Sequence, residues 1–120
     1  PYGAHTTASD ALWVGLPVVT LAGATFASRV GASLLSAIGL PELVTHSIEQ
    51  YEALVVELAQ NPARILELKE RLTNNRLTAP LFDSETFTRH IEAAYECMWK
   101  AYTDGSAPIS FDVKSNRTLS

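Results

Sequence analysis

A polar turn, Gly3-Ala4-His5-Thr6-Thr7, runs into the short segment Ala8-Ser9-Asp10-Ala11-Leu12-Trp13. Gly15-Leu16-Pro17 then breaks the pattern before the apolar run Val18-Val19-Thr20-Leu21. This order of turn, helix, break and strand leaves few folds open. Gly15 can end the helix in a left-handed conformation, and Pro17 prevents its continuation. Val18 to Leu21 is apolar on both faces, which predicts a fully buried, parallel strand. The chain therefore reads as α/β, with a polar cluster where a turn becomes a helix. In α/β domains small anionic ligands bind at that place.

The rest of the chain reads as scaffold. Ala22 to Phe26 is a loop at the carboxyl end of the strand. Ser28 is a candidate N-cap for a helix through Val30, Leu34, Leu35 and Ile38, whose small residues allow close packing. Gly39 and Pro41 stop it. Leu43-Val44-Thr45 fits a short edge strand. Ser47 with Gln50 reads as a capping box before a helix with Ile48, Tyr51, Val55 and Leu58 on one face. Asn61 and Pro62 open the next helix, with Ile65, Leu68 and Leu72 inside and Glu67 and Arg71 paired outside. Thr73 to Leu81 is a polar stretch. Asp83 caps a last helix in which Phe87, Ile91, Ala94, Tyr95, Met98 and Tyr102 recur at helical spacing. After Gly105 the periodicity stops. Residues 1–103 read as one partial domain, and 104–120 as a flexible tail.

Charge is uneven. Up to Pro41 the only charged residues are Asp10 and Arg29, so this segment is built for burial. With no initiator Met and too few strands for such a domain, the 120 residues are expected to be part of a larger protein. A net charge of −4 gives no sign of nucleic-acid binding. No signal pattern or bilayer-length apolar run is visible. The single cysteine, Cys97, excludes an internal disulfide framework and fits a reducing compartment. It reads as a packed thiol.

Candidate chemistry gathers at the start of the first helix, with Arg29 as the one cation of the segment up to Pro41. Thr6 or Thr7 is a plausible N-cap; alternatively, both hydroxyls and the free amides of the first turn bind a phosphate. Asp10 either favours the helix dipole or accepts from sugar hydroxyls. Its place in an apolar segment favours a ligand, because buried charge is costly unless paired. His5 can donate to a phosphate or leaving-group oxygen, or serve as an ordinary turn residue. Arg29 can neutralise Asp10 or a phosphate, or form a structural pair. His5, His46 and His90 have no metal-site spacing, and no protein-ligated metal is expected.

His5-Thr6-Thr7, Asp10-Ala11-Leu12-Trp13, Gly15-Leu16-Pro17-Val18-Val19-Thr20 and Thr25-Phe26-Ala27-Ser28-Arg29-Val30 together resemble one family. They look like the C-terminal catalytic region of the O-linked N-acetylglucosamine transferases and SPINDLY-like enzymes of glycosyltransferase family 41. The likeness continues through Gly39-Leu40-Pro41-Glu42-Leu43, Tyr51-Glu52, Pro80-Leu81-Phe82-Asp83 and Met98-Trp99. Plant-type O-fucosyltransferases of the same group share much of it.

The resemblance implies a Rossmann-like fold, the C-terminal half of the second domain of a GT-B glycosyltransferase. It implies that His5, Thr6 and Thr7 form the donor diphosphate turn and that Asp10 holds the ribose hydroxyls. The implied reaction is inverting transfer of N-acetylglucosamine from UDP-GlcNAc to Ser/Thr hydroxyls of a protein acceptor, without metal or other cofactor. The implied partners are a missing N-terminal catalytic domain and tetratricopeptide repeats of the same polypeptide. The implied location is cytoplasmic, with no membrane span and no nucleic acid. No catalytic residue is assigned within this segment, which is expected to be inactive alone. The alternatives are another GT-B transferase, using fucose or glycan or lipid acceptors, and a non-catalytic α/β interaction module.

Overall fold

A computed structural model describes residues 2–113. The chain divides into two compact units, Pro1–Phe82 and Asp83–Ser120.

In the first unit the order is α1 (Thr6–Trp13), β1 (Thr20–Leu21), α2 (Phe26–Ala37), β2 (Val44–Thr45), α3 (Ile48–Gln60) and α4 (Pro62–Asn75). Single 3-10 turns occupy Pro41–Leu43 and Pro80–Phe82. β1 and β2 pair in parallel, Thr20 opposite Val44 and Leu21 opposite Thr45. The Thr45 hydroxyl donates to the Thr20 carbonyl at 2.8 Å and fastens the short ladder. The strand is shorter and less buried than expected. Val18, Val19 and Leu21 are only half-buried, because among the described residues β1 has one neighbouring strand.

Leu12, Leu35, Ile38, Leu40, Leu43, Leu68 and Leu72 form the core. Burying such side chains contributes about 1.5–3 kcal/mol each before conformational entropy is counted. α2 approaches β1 at Gly31, where an added Cβ would lie 2.7 Å from Thr20 Oγ1. The small residue is what allows this approach. Gly15 and Gly39, at φ +86° and +82°, end α1 and α2 as their positions predict.

Several local expectations shift. α2 is capped by Thr25, not Ser28. Ser28 is the third helical residue and closes a capping box, its Oγ accepting from the Thr25 amide at 3.1 Å. At α3 the Ser47 Oγ accepts from the Gln50 amide, while Gln50 Oε1 accepts from the amide of His46, one residue before the cap. α3 turns Leu54 and Leu58 to the core and leaves Ile48, Tyr51 and Val55 exposed. α4 begins at Asn61 and Pro62 as expected, and continues through Thr73 to Asn75. Arg64 and Arg71 converge on Glu42 and Glu67, tying α4 to the turn before β2.

The second unit is built on α5 (Ser84–Thr103). Asp83 Oδ1 accepts from the Thr86 amide at 3.0 Å, as expected of the cap. Phe87, Tyr95, Met98, Trp99 and Tyr102 are exposed. Cys97 is also exposed, which corrects the reading of a packed thiol. Helical spacing places Cys97 outside the row of Tyr95, Met98 and Tyr102. Residues 106–113 form no helix or strand, and the last part of the expected tail, 114–120, lies outside the described residues.

Candidate functional site

α1 is seated by two side chains, Ala8 and Leu12, which are 3% and 0% exposed. Their spacing of four puts them on one face and turns the other outward. The N-cap is His5 and not a threonine. Its side chain makes no capping hydrogen bond. Thr6 and Thr7 are the first two helical residues, and both are exposed. Their hydroxyls are therefore not used up in capping. The first intrahelical bond runs from the Ser9 amide to the His5 carbonyl at 3.1 Å. The amides of Thr6, Thr7 and Ala8 come before it and have no helical acceptor.

Asp10 lies in the second turn, three residues after Thr7 and four after Thr6. That spacing puts all three on neighbouring positions of one surface. Asp10 is exposed, so the expectation of a buried carboxylate is corrected. Only Ala8 and Leu12 turn inward; Trp13 and Val14, three and four residues after Asp10, are exposed with it. Among the described residues Asp10 forms no ion pair. Arg29 is likewise exposed and makes no ion pair among them. Neither the Asp10 pair nor a structural pair is formed.

His5 is held on three sides. Its Nε2–H donates to the Ala27 carbonyl at 3.1 Å. Tyr2 stacks on the imidazole at a centroid distance of 4.9 Å, and Phe26 meets it edge-on at 6.1 Å. The Gly3 amide donates to the same Ala27 oxygen at 2.9 Å. The turn before α1 is thus fastened to the first turn of α2. Sequence reasoning had no signal for this link, which joins residues 22 apart.

The other ends of the two helices are also held. Asn75 Nδ2 donates to the Ile38 carbonyl at 2.8 Å, and Arg76 Nη1 donates to the Trp13 carbonyl at 2.9 Å. These consecutive residues at the end of α4 satisfy carbonyls at the C-termini of α2 and α1. Among the described residues no cluster of His, Cys, Asp and Glu could hold a metal ion.

The α/β unit thus presents an open helix N-terminus with two exposed hydroxyls and a carboxylate one turn on. The chain belongs to glycosyl transferase family 41, whose pattern matches residues 2–91. It is 42% identical to the probable UDP-N-acetylglucosamine–peptide N-acetylglucosaminyltransferase SPINDLY of Oryza sativa subsp. japonica, over 90% of this chain and 12% of the relative. It is 39% identical to the probable enzyme of the same activity, SEC, of Arabidopsis thaliana, over 93% of this chain and 12% of that one. An O-GlcNAc transferase mutant from Thermobaculum terrenum superimposes with a TM-score of 0.82 at 37% identity. That match covers 89% of this chain and 21% of the solved one. The expected Rossmann-like α/β fold of the GT-B type stands on that match. The chain spans roughly a tenth of the length of these curated relatives, 12% in both cases.

Proposed function

We propose that this chain is the donor-binding part of an inverting glycosyltransferase that moves N-acetylglucosamine from UDP-GlcNAc to Ser or Thr hydroxyls of proteins. The observation that carries the reading is the open start of α1. Thr6 and Thr7 are exposed there, outside any capping bond, and Asp10 lies on the same surface. The relatives' names supply the donor and the peptide acceptor.

In this reading the diphosphate sits over the Thr6–Thr7 amides and hydroxyls, and Asp10 accepts from the ribose hydroxyls. The acceptor oxygen attacks the anomeric carbon from the face opposite the diphosphate. The bond from that carbon to the phosphate oxygen breaks, and the electron pair stays on the leaving diphosphate. The acceptor proton passes to a base in another part of the polypeptide. Free amides, two hydroxyls and the positive end of the helix dipole stabilise the charge that grows on the diphosphate. These groups take the role that a divalent cation plays elsewhere, so the reaction is read as metal-independent.

The remaining parts are read as lying elsewhere in the polypeptide: an N-terminal catalytic domain, a cation for the diphosphate and tetratricopeptide repeats for the acceptor. This segment alone is read as inactive. No helix among the described residues is long and apolar enough to cross a membrane. The proposed location is the cytoplasm.

The test is sugar transfer by the full-length protein to an acceptor protein, with UDP-GlcNAc and GDP-fucose as competing donors, with and without EDTA. The reading requires GlcNAc on Ser or Thr at a rate unaffected by EDTA. Fucose transfer would move the protein to the O-fucosyl alternative. Absence of transfer with either donor would leave an interaction module.

A further inference from the structure

We infer that His5 serves the donor site as a positioning residue, through its hydrogen bond to Ala27, and is not a ligand of the diphosphate. The inference rests on the reading of Thr6 and Thr7 as the diphosphate turn, and it changes the role that the resemblance implies for His5.

The Ala27 carbonyl can only accept, so the Nε2 that meets it at 3.1 Å carries the proton. A neutral imidazole has one N–H. With that proton on Nε2, Nδ1 is a bare lone pair. Phosphate oxygens are also acceptors, so this tautomer has nothing to offer them, and only a second proton, on Nδ1, would make the ring a donor to the diphosphate. Tyr2 stacks on one face of the ring and Phe26 meets its edge, contacts that favour this orientation.

The link also has something to hold. Ala27 is in the first turn of α2, and His5 immediately precedes α1. Both helix starts carry partial positive charge, and their approach is unfavourable without a compensating group. The Ala27 oxygen supplies one, taking the His5 Nε2–H and the Gly3 amide together. Gly3 suits this approach, because a Cβ there would lie 3.2 Å from the same oxygen. The direction of the Thr6 and Thr7 amides follows from where this pair of hydrogen bonds anchors the turn. His5 therefore acts on the diphosphate through the backbone.

The experiment combines nitrogen NMR of the full-length protein, labelled with 15N-histidine, with calorimetric titration of UDP and GDP. Two variants separate donor from ring. His5→Phe keeps an aromatic ring between Tyr2 and Phe26 but loses the donor, and His5→Gln puts an amide N–H near the position of Nε2. The expected result is an Nε2–H tautomer that saturating nucleotide leaves unchanged. His5→Phe should weaken nucleotide binding about tenfold with little change in melting temperature, and His5→Gln should restore it to within about twofold. Protonation of Nδ1 on nucleotide binding would overturn the inference, as would wild-type affinity in His5→Phe. Equal weakness of the two variants would also overturn it, and so would a loss confined to stability. Should wild type bind neither nucleotide, the diphosphate reading itself fails and the role of His5 falls with it. Binding by wild type with contrary results from the variants removes only the role of His5.

Discussion

Arg76 holds the end of the helix that begins at Thr6. Its Nη1 donates to the Trp13 carbonyl at 2.9 Å, and its guanidinium lies 5.3 Å from the centroid of the same residue's indole. Phe82 meets that indole edge-on at 5.0 Å. A cation at a helix C-terminus also answers the negative end of the dipole.

Arg76→Ala removes a charged hydrogen bond and a cation–π contact together. It should lower stability by about 1–2 kcal/mol, seen as an earlier urea or thermal transition. Arg76→Lys should recover only part, because an ammonium cannot lie flat on the indole while reaching the carbonyl. Equal stability of Arg76→Ala and wild type would show that the contact does not hold α1.

The packing of α2 on β1 makes a second prediction. Gly31→Ala places a Cβ 2.7 Å from Thr20 Oγ1 and 3.3 Å from Thr20 Cβ. Overpacking of this kind costs about 1–3 kcal/mol. Thr20→Ala removes the nearer atom, so the double variant should be less destabilised than the sum of the two single changes. Additive losses in unfolding measurements would mean that the helix and strand do not meet at this point.

Asp83 gives a dependence on pH. Hydrogen bonds from Thr86, first from its side chain and then from its backbone, hold the Asp83 carboxyl below its usual range. A carboxyl depressed in the folded state stabilises fully above its unfolded pKa and loses that contribution as pH falls through the lower folded value. The start of α5 should therefore fray on acidification below about pH 4. The protection factor of the Thr86 amide should fall over that range in wild type. In Asp83→Asn it should be flatter, since the amide oxygen can cap without titrating. A steep response in Asp83→Asn would place the titrating group elsewhere.

The starts of α3, α4 and α5 are legible in the sequence because their signals are local. Ser47, Asn61 and Asp83 each cap the helix that follows. Two starts were displaced for the same physical reason. Thr25 and Ser28, and likewise His5 against Thr6 and Thr7, put several candidates within three residues, and tertiary contacts decide among them. α3 shows a different limit. Ile48, Tyr51 and Val55 repeat at helical spacing, and so do Leu54 and Leu58. Periodicity cannot say which row meets Leu68 and Leu72. The Thr6, Thr7 and Asp10 surface was legible because its spacing lies within one helix. The contacts that aim it were not, since His5 with Ala27 and Trp13 with Arg76 are 22 and 63 residues apart.

The proposed function requires the start of α1 to bind a nucleotide diphosphate without metal. Calorimetric titration of UDP and GDP into the full-length protein, with Thr7→Ala and Asp10→Ala alongside, tests it most directly. One nucleotide should bind, unaffected by EDTA, and each variant should weaken it by about tenfold or more, as expected when a hydrogen bond to a charged group is lost. A folded full-length protein that binds neither nucleotide, or binds one equally well with both changes, would rule this site out and leave Thr6, Thr7 and Asp10 as surface residues of a short helix.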